Sequence, residues 1–230
     1  MDFTNNVILI TGASRGIGLC LANLLTEYGA NVIGIYNETK IKDVLFDSYK
    51  CDISKELEIK KLFKYINNKY GKLDVVVNCA ALCLDNDLYD KNKKEFMKVL
   101  EVNLVGTFLI CKEASLLMKK GVIVNMSSTD AFDTFSPFSM DYAASKAGVE
   151  NLTKNLAIRL PNIKVCAIAP NWVDTETVLN MDKCYLEREM NRIGQKKLIK
   201  KEDVVINIVE TIVSDDIVSG DIIRMVDSNE

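Results

Sequence analysis

Thr11-Gly12-Ala13-Ser14-Arg15-Gly16-Ile17-Gly18 is the stretch that decides the fold. The apolar run Val7-Ile8-Leu9-Ile10 before it has the length of a buried strand. After it, residues 19–28 carry apolar side chains at helical spacing, and Gly29 follows as a C-terminal stop. Strand, glycine turn and helix in that order form the opening unit of a dinucleotide-binding fold. The glycines let the backbone turn tightly and approach a pyrophosphate, while the helix N-terminus supplies free N–H groups and the positive end of its dipole. The spacing is Gly-x-x-x-Gly-x-Gly, not the commoner Gly-x-Gly-x-x-Gly. Glycines alone would suit any tight turn; the strand before and the helix after make cofactor binding the better reading.

Outward from this unit, strand-like runs alternate with helix-like stretches. Residues 32–35 and 48–51 read as the second and third strands, with too little chain between them for a full helix. Residues 55–69 place Leu57, Ile59, Leu62, Phe63 and Ile66 on one helical face. Residues 75–77 read as a fourth strand, 94–119 as a long helix, 122–124 as a fifth strand and 142–160 as a helix. Residues 164–169 read as a sixth strand, 201–213 as a helix and 221–225 as the last strand. This alternation predicts an α/β fold: a seven-stranded parallel sheet with helices on both faces, the three-layer Rossmann arrangement, in a single domain over residues 1–230. Ligands of such sheets bind beyond the carboxyl ends of the strands, and the motifs fall there, after strands one, four, five and six.

Composition narrows the function. The 230 residues carry a net charge of −3, with a pI near 5.3, and lysines are interspersed with acids, so no basic stripe marks a nucleic-acid partner. Seven cysteines, odd in number and irregular in spacing, read as reduced thiols of a cytoplasmic protein. Cys79 and Cys83 lack companions for a metal site. No signal peptide or membrane span is expected. With no histidine in the chain, imidazole-based triads are excluded and no metal centre is expected. Proton transfer falls to Tyr, Lys, Asp, Glu or water.

Tyr142 and Lys146 are four residues apart, so on a helix they share a face. An ammonium beside a phenol stabilises the phenolate, so the pKa of Tyr142 is expected to fall, which would make it a general acid near neutral pH. Such a pair alone is more often an exposed helix face. With the glycine turn, however, the chain resembles the short-chain dehydrogenase/reductase family over nearly its whole length, and in particular its 3-oxoacyl-acyl-carrier-protein reductase-like members. The glycine turn is similar to the family's Thr-Gly-x-x-x-Gly-x-Gly. Asp52 sits where the family's adenine-contacting Asp follows strand three, and Asn78-Cys79-Ala80-Ala81 is similar to Asn-Asn-Ala-Gly. Asn103, Ser128 and the Tyr142-x-x-x-Lys146 pair match the family's catalytic residues, and Pro170 to Thr175 resembles the segment bordering the nicotinamide. Ala81 and Asn171 stand where the family has Gly.

The resemblance implies hydride transfer between a nicotinamide and a carbonyl or alcohol carbon. Tyr142 would donate the proton, Lys146 would lower the tyrosine pKa and bind the ribose, and Ser128 would hydrogen-bond the carbonyl oxygen. Asn103 would kink its helix and hold a water relaying protons to Lys146. Cofactor contacts are implied for Gly12, Ser14, Arg15, Gly16, Ile17, Gly18, Asn37, Asp52, Ile53, Asn78, Ala80, Tyr142, Lys146, Pro170, Val173 and Thr175. An NAD enzyme places an acid at the end of strand two; here Tyr36 and Asn37 stand there, and Arg15 is available to a 2′-phosphate, with Lys40 assisting. NADPH is the expected cofactor, against the opposing charge of Glu38, and NADH the alternative. Residues 175–200 are expected to form a mobile lid, with Trp172, Val178, Leu179, Met181, Tyr185, Leu186 and Met190 facing an apolar part of the substrate. Phe132, Phe135 and Phe138 suit that pocket or a neighbouring subunit equally. The expected function is reduction of a carbonyl compound, a 3-oxoacyl thioester being one version, with Arg188, Arg192, Lys196 and Lys197 as a patch for its carrier protein. The alternatives are an NAD-dependent alcohol dehydrogenase and a non-catalytic nucleotide sensor; a homodimer or homotetramer is implied.

Overall fold

The computed structural model describes residues 1–226. In chain order they form β1 (Val7–Thr11), α1 (Gly16–Glu27), β2 (Asn31–Tyr36), β3 (Asp47–Lys50), α2 (Glu56–Tyr70) and β4 (Val75–Asn78). Then follow α3 (Lys93–Leu100), a π-helical turn (Glu101–Gly106), α4 (Thr107–Leu117), β5 (Gly121–Met126), α5 (Met140–Arg159) and β6 (Ile163–Pro170). α6 (Glu176–Leu179), α7 (Lys183–Arg192), α8 (Lys201–Val213) and β7 (Ile222–Met225) complete the described chain. The strands lie in the order β3-β2-β1-β4-β5-β6-β7, every pair parallel, which is the three-layer Rossmann fold.

The sheet is buried on both faces, so its central strands are continuous apolar runs. Along β1, Ile8 and Ile10 pack with Leu21 and Leu25 of α1 and Val204 and Ile208 of α8. Val7 and Leu9 point the other way, toward Leu62 and Ile66 of α2 and Ile110 of α4. Ile8, Leu9 and Ile10 are fully buried; truncating any one to Ala costs about 2–5 kcal/mol.

Two elements differ from expectation. α1 starts at Gly16, not at residue 19, because the glycine turn itself forms its first turn. The long helix expected over residues 94–119 is divided by a π turn around Asn103, where the resemblance implies a kink, a distortion often found at functional sites. Close approach explains it. The Thr107 hydroxyl donates to the Asn103 carbonyl at 2.7 Å, and a Cβ on Gly106 would lie 2.9 Å from the Ile53 carbonyl oxygen.

Candidate active site

β1 and β4 are neighbours whose following helices leave on opposite faces, and this topological switch opens a crevice at the carboxyl ends of the strands. A cleft of about 630 Å³ fills it, running from Arg15 and Glu38 at one end to Ser128, Tyr142 and Tyr185 at the other. Its floor is the glycine turn. Gly12 has φ +69°, and a Cβ there would lie 2.7 Å from Ala80 Cα; one on Gly18 would lie 2.4 Å from the Gly12 carbonyl oxygen. No side chain fits at either place, so the backbone stays bare and close to whatever enters. The N–H groups of the first turn of α1 have no intrahelical partner; Glu176 takes that of Gly16, and the others, with the positive end of the helix dipole, suit an anion. Cleft volume, bare turn and unpaired donors together suit a dinucleotide.

Of the residues expected to hold that cofactor, Gly12, Ser14, Arg15, Gly16, Ile17, Gly18, Asn37, Asp52, Ile53, Ala80, Tyr142, Lys146, Pro170, Val173 and Thr175 all line the cleft. Asp52 accepts from the Ser54 N–H at 3.0 Å and its hydroxyl at 2.7 Å. Burial raises its carboxyl, but Ser54 and Lys55 outweigh that and hold it below the usual range. Ala80 is fixed by donating to the Thr11 hydroxyl at 3.0 Å. Asn78 is the exception. It is 3% exposed beneath the cleft, where its amide donates to Asn125 Oδ1 at 2.9 Å. The period-two alternation of β4 turns Val76 and Asn78 toward α4, where Asn78 reaches Cys111. Asn78 is a strand-to-strand tie and does not touch the cleft.

The π turn, the end of β5 and the start of α5 bring the four expected catalytic residues to one region. Lys146 is 3% exposed; its ammonium lies 5.3 Å from the Tyr142 ring centre and donates to the Met126 carbonyl at 2.7 Å. The Ser128 hydroxyl accepts from the Asp130 N–H at 3.2 Å. Asn103 does not line the cleft. Its Oδ1 accepts from Leu82 N–H at 2.7 Å, and its amide donates to the Leu82 carbonyl at 2.8 Å and to Ser145 Oγ at 3.0 Å. That side chain is committed to holding the strand-four loop against α5, and it meets Ser145, not Lys146. Ser145 in turn donates to the Tyr142 carbonyl at 2.6 Å.

The expected fall in the Tyr142 pKa is reversed. Burial pushes the phenol well above its ordinary range, Cys83 and Asp130 push the same way, and the Ser128 hydroxyl pulls against them. Burial also lowers Lys146, to about 8, because an ammonium is costly there. Sequence spacing shows that the two groups meet; it does not show how dry the meeting place is. The phenol is therefore held in its protonated form at neutral pH, as a proton donor must be.

Residues 175–200, expected as a lid, fold as α6, α7 and a return segment. Ile199 bridges Val173, and Gln195 exchanges hydrogen bonds with the Trp172 main chain at 3.1 and 2.8 Å. Trp172, Val178, Met181 and Tyr185 line the cleft, while Leu179, Leu186 and Met190 do not. The three phenylalanines do not line it either: Phe138 meets the Tyr185 ring edge, Phe132 lies under Arg224, and Phe135 is exposed. Sequence reading missed the polar groups of the substrate end. Asp85 accepts from Tyr185 Oη at 3.0 Å and from Cys83 Sγ at 3.1 Å, and Asp130 accepts from Thr134 Oγ1 at 2.5 Å. The Tyr185–Asp85 contact joins residues one hundred positions apart, and no local pattern announces it; the other two are local, within four positions. Among the described residues no group of three or more His, Cys, Asp or Glu is arranged to hold a metal, and no helix is long and apolar enough to cross a membrane.

Residues 6–184 match the family model described as short chain dehydrogenase. The chain belongs to that family. Among its relatives, a 3-oxoacyl-acyl-carrier-protein reductase from Staphylococcus epidermidis is 30% identical over 92% of each chain. The reductase of the same description from Thermotoga maritima is 32% identical over 89% of each. A short chain dehydrogenase from Burkholderia cenocepacia, solved in complex with NADP, superposes with a TM-score of 0.88, covering 98% of each chain at 23% identity, and shows the shared fold. The short chain dehydrogenase described here is accordingly an NAD(P)-dependent oxidoreductase.

Proposed function

We propose that this enzyme reduces a carbonyl compound to an alcohol with NADPH, and that Tyr142 is its general acid. The observation that carries the reading is the half-buried Tyr142 phenol, with Ser128 beside it and the Lys146 ammonium 5.3 Å from its ring, at the end of a cleft that begins at the glycine turn. Val173 and Thr175 would hold the nicotinamide end of the cofactor, which would supply the hydride. Ser128 hydrogen-bonds the substrate oxygen and stabilises the negative charge that develops there. Tyr142 hands its proton to that oxygen. Lys146, with a pKa near 8, stabilises the phenolate left behind and binds the ribose hydroxyls. Asn103 acts at one remove, holding Leu82 and Ser145 in place.

Arg15 at the adenosine end and the absence of an acid at Tyr36 and Asn37 favour the 2′-phosphate of NADPH, and the adjacent Glu38 favours NADH. The relatives' names support a 3-oxoacyl thioester as substrate. The proposed carrier patch is reduced, however. Arg188 lies over the Phe138 and Tyr185 rings and pairs with Glu189, while Arg192 donates to Glu189 and to the carbonyls of Thr134 and Phe135. Exposed Phe108 and Leu116 on α4 and Ile158 on α5 support assembly into a dimer or tetramer. NADPH oxidation with a panel of ketones and 3-oxoacyl thioesters tests the activity. Tyr142→Phe should abolish turnover while leaving NADPH affinity within about threefold; substantial turnover in that variant would remove Tyr142 from the acid role.

A further inference from the structure

Glu176, the first residue of α6, reaches back to the glycine turn. Its Oε2 accepts from the Gly16 N–H at 2.8 Å, and its Oε1 accepts from the Lys201 ammonium at 3.1 Å. Lys201 opens α8, and its own main-chain N–H donates to Asp174 Oδ1 at 2.7 Å. One carboxylate therefore joins the N-terminus of α1, the base of the lid and the start of α8. Thr175 packs beside it: a Cβ on Gly16 would lie 3.3 Å from Thr175 Cγ2. Gly16 and Thr175 line the cleft and Glu176 does not, so the carboxylate approaches the helix end from behind and leaves the cleft side of the turn open.

We propose that Glu176 is a positioning residue for the dinucleotide. It straps the base of the lid to the glycine turn, so that Thr175 and the turn hold the pyrophosphate–nicotinamide half of the cofactor between them. The inference rests on the NAD(P) reading of the cleft. Two features support a strap over a competing anion. Lys201 balances the carboxylate's charge, so a nearby pyrophosphate meets less repulsion. And α6 is four residues long, capped by the Val178 N–H donating to Thr175 Oγ1 at 3.4 Å and the Asn180 amide donating to the Glu176 carbonyl at 2.7 Å. A single helical turn does not hold itself, so its place must be set from outside.

The test is a fluorescence or calorimetric titration of the full chain, wild type against Glu176→Ala and Glu176→Gln. The ligands are the tighter-binding reduced dinucleotide and its adenosine fragment, adenosine 2′,5′-bisphosphate for NADPH or AMP for NADH. The strap predicts that Glu176→Ala weakens dinucleotide binding about tenfold, the scale of one charge-assisted hydrogen bond, with fragment binding unchanged within about twofold. Glu176→Gln keeps an oxygen for Gly16 and should recover part of the loss. Dinucleotide binding by Glu176→Ala as tight as or tighter than wild type would overturn the strap. Equal loss of both ligands would also overturn it, as general damage to the cradle. Wild type binding neither ligand would overturn the NAD(P) reading itself, and the strap with it.

Discussion

Replacing Lys146 by Met should make the protein more stable at neutral pH, and the advantage should shrink as pH rises. Lys146 is 3% exposed, and burial lowers its pKa from 10.5 to about 8. The folded state thus binds this proton less readily than the unfolded state. Below about pH 8 the group is charged in both states, and the desolvation cost is present in full, about 3 kcal/mol. The cost fades as pH climbs from about 8 and is gone above about 10.5. Wild type should therefore gain about 2 kcal/mol relative to Lys146→Met between about pH 7 and about pH 9.5. Met fills the space of the lysine stem but gives up the bond to the Met126 carbonyl, worth about 1 kcal/mol, so the net advantage of the variant near pH 7 is about 2 kcal/mol. Urea unfolding of both proteins across that range measures the difference directly, because other titrating groups cancel. A difference that does not change with pH, or a variant less stable near pH 7, would refute the reasoning that Lys146 is kept for chemistry at a cost to stability.

Arg15→Ala should weaken NADPH binding by about tenfold or more and leave NADH nearly unchanged, as titration of both would show; equal losses would remove Arg15 from cofactor choice. Lys91 and Asp141 form a buried ion pair at 2.9 Å, 4% and 0% exposed, that ties the strand-four loop to the residue before Tyr142. Lys91→Met strands a buried carboxylate and should cost about 3–5 kcal/mol in chemical unfolding, whereas the double variant Lys91→Met/Asp141→Leu should recover most of it. Gly18→Ala drives a methyl into the Gly12 carbonyl at 2.4 Å, so a folded variant should bind dinucleotide at least tenfold more weakly; wild-type affinity would show that the turn has room to spare.

The sheet could be read from the chain because each central strand carries a short apolar run, and burial on both faces keeps polar residues such as Asn78 and Asn125 to the strand ends. Residues that face the cleft from strand ends, such as Ala80 and Ser128, are legible only through the family resemblance of their motifs. Asn78 was misplaced because a motif gives position along a strand but not the side to which the pleat turns it. The pKa of Tyr142 was misjudged because spacing reveals its neighbour Lys146 but not the dryness of the pocket. The lid helices are short, four and ten residues, and the longer one is strongly polar. Their fixing contacts, Tyr185 to Asp85 and Glu176 to Gly16, span one hundred and 160 positions, distances at which local pattern carries no information.

Parallel titration of the purified protein with NADPH and NADH tests the central claim most directly, because it needs no knowledge of the substrate. Saturable binding of both, with NADPH the tighter, is the predicted result. Tighter NADH would keep the enzyme and reverse the assignment of Arg15 and Glu38. Binding of neither would contradict the account, since the cleft, the bare glycine turn and the N-terminus of α1 would then have been assigned to the wrong ligand.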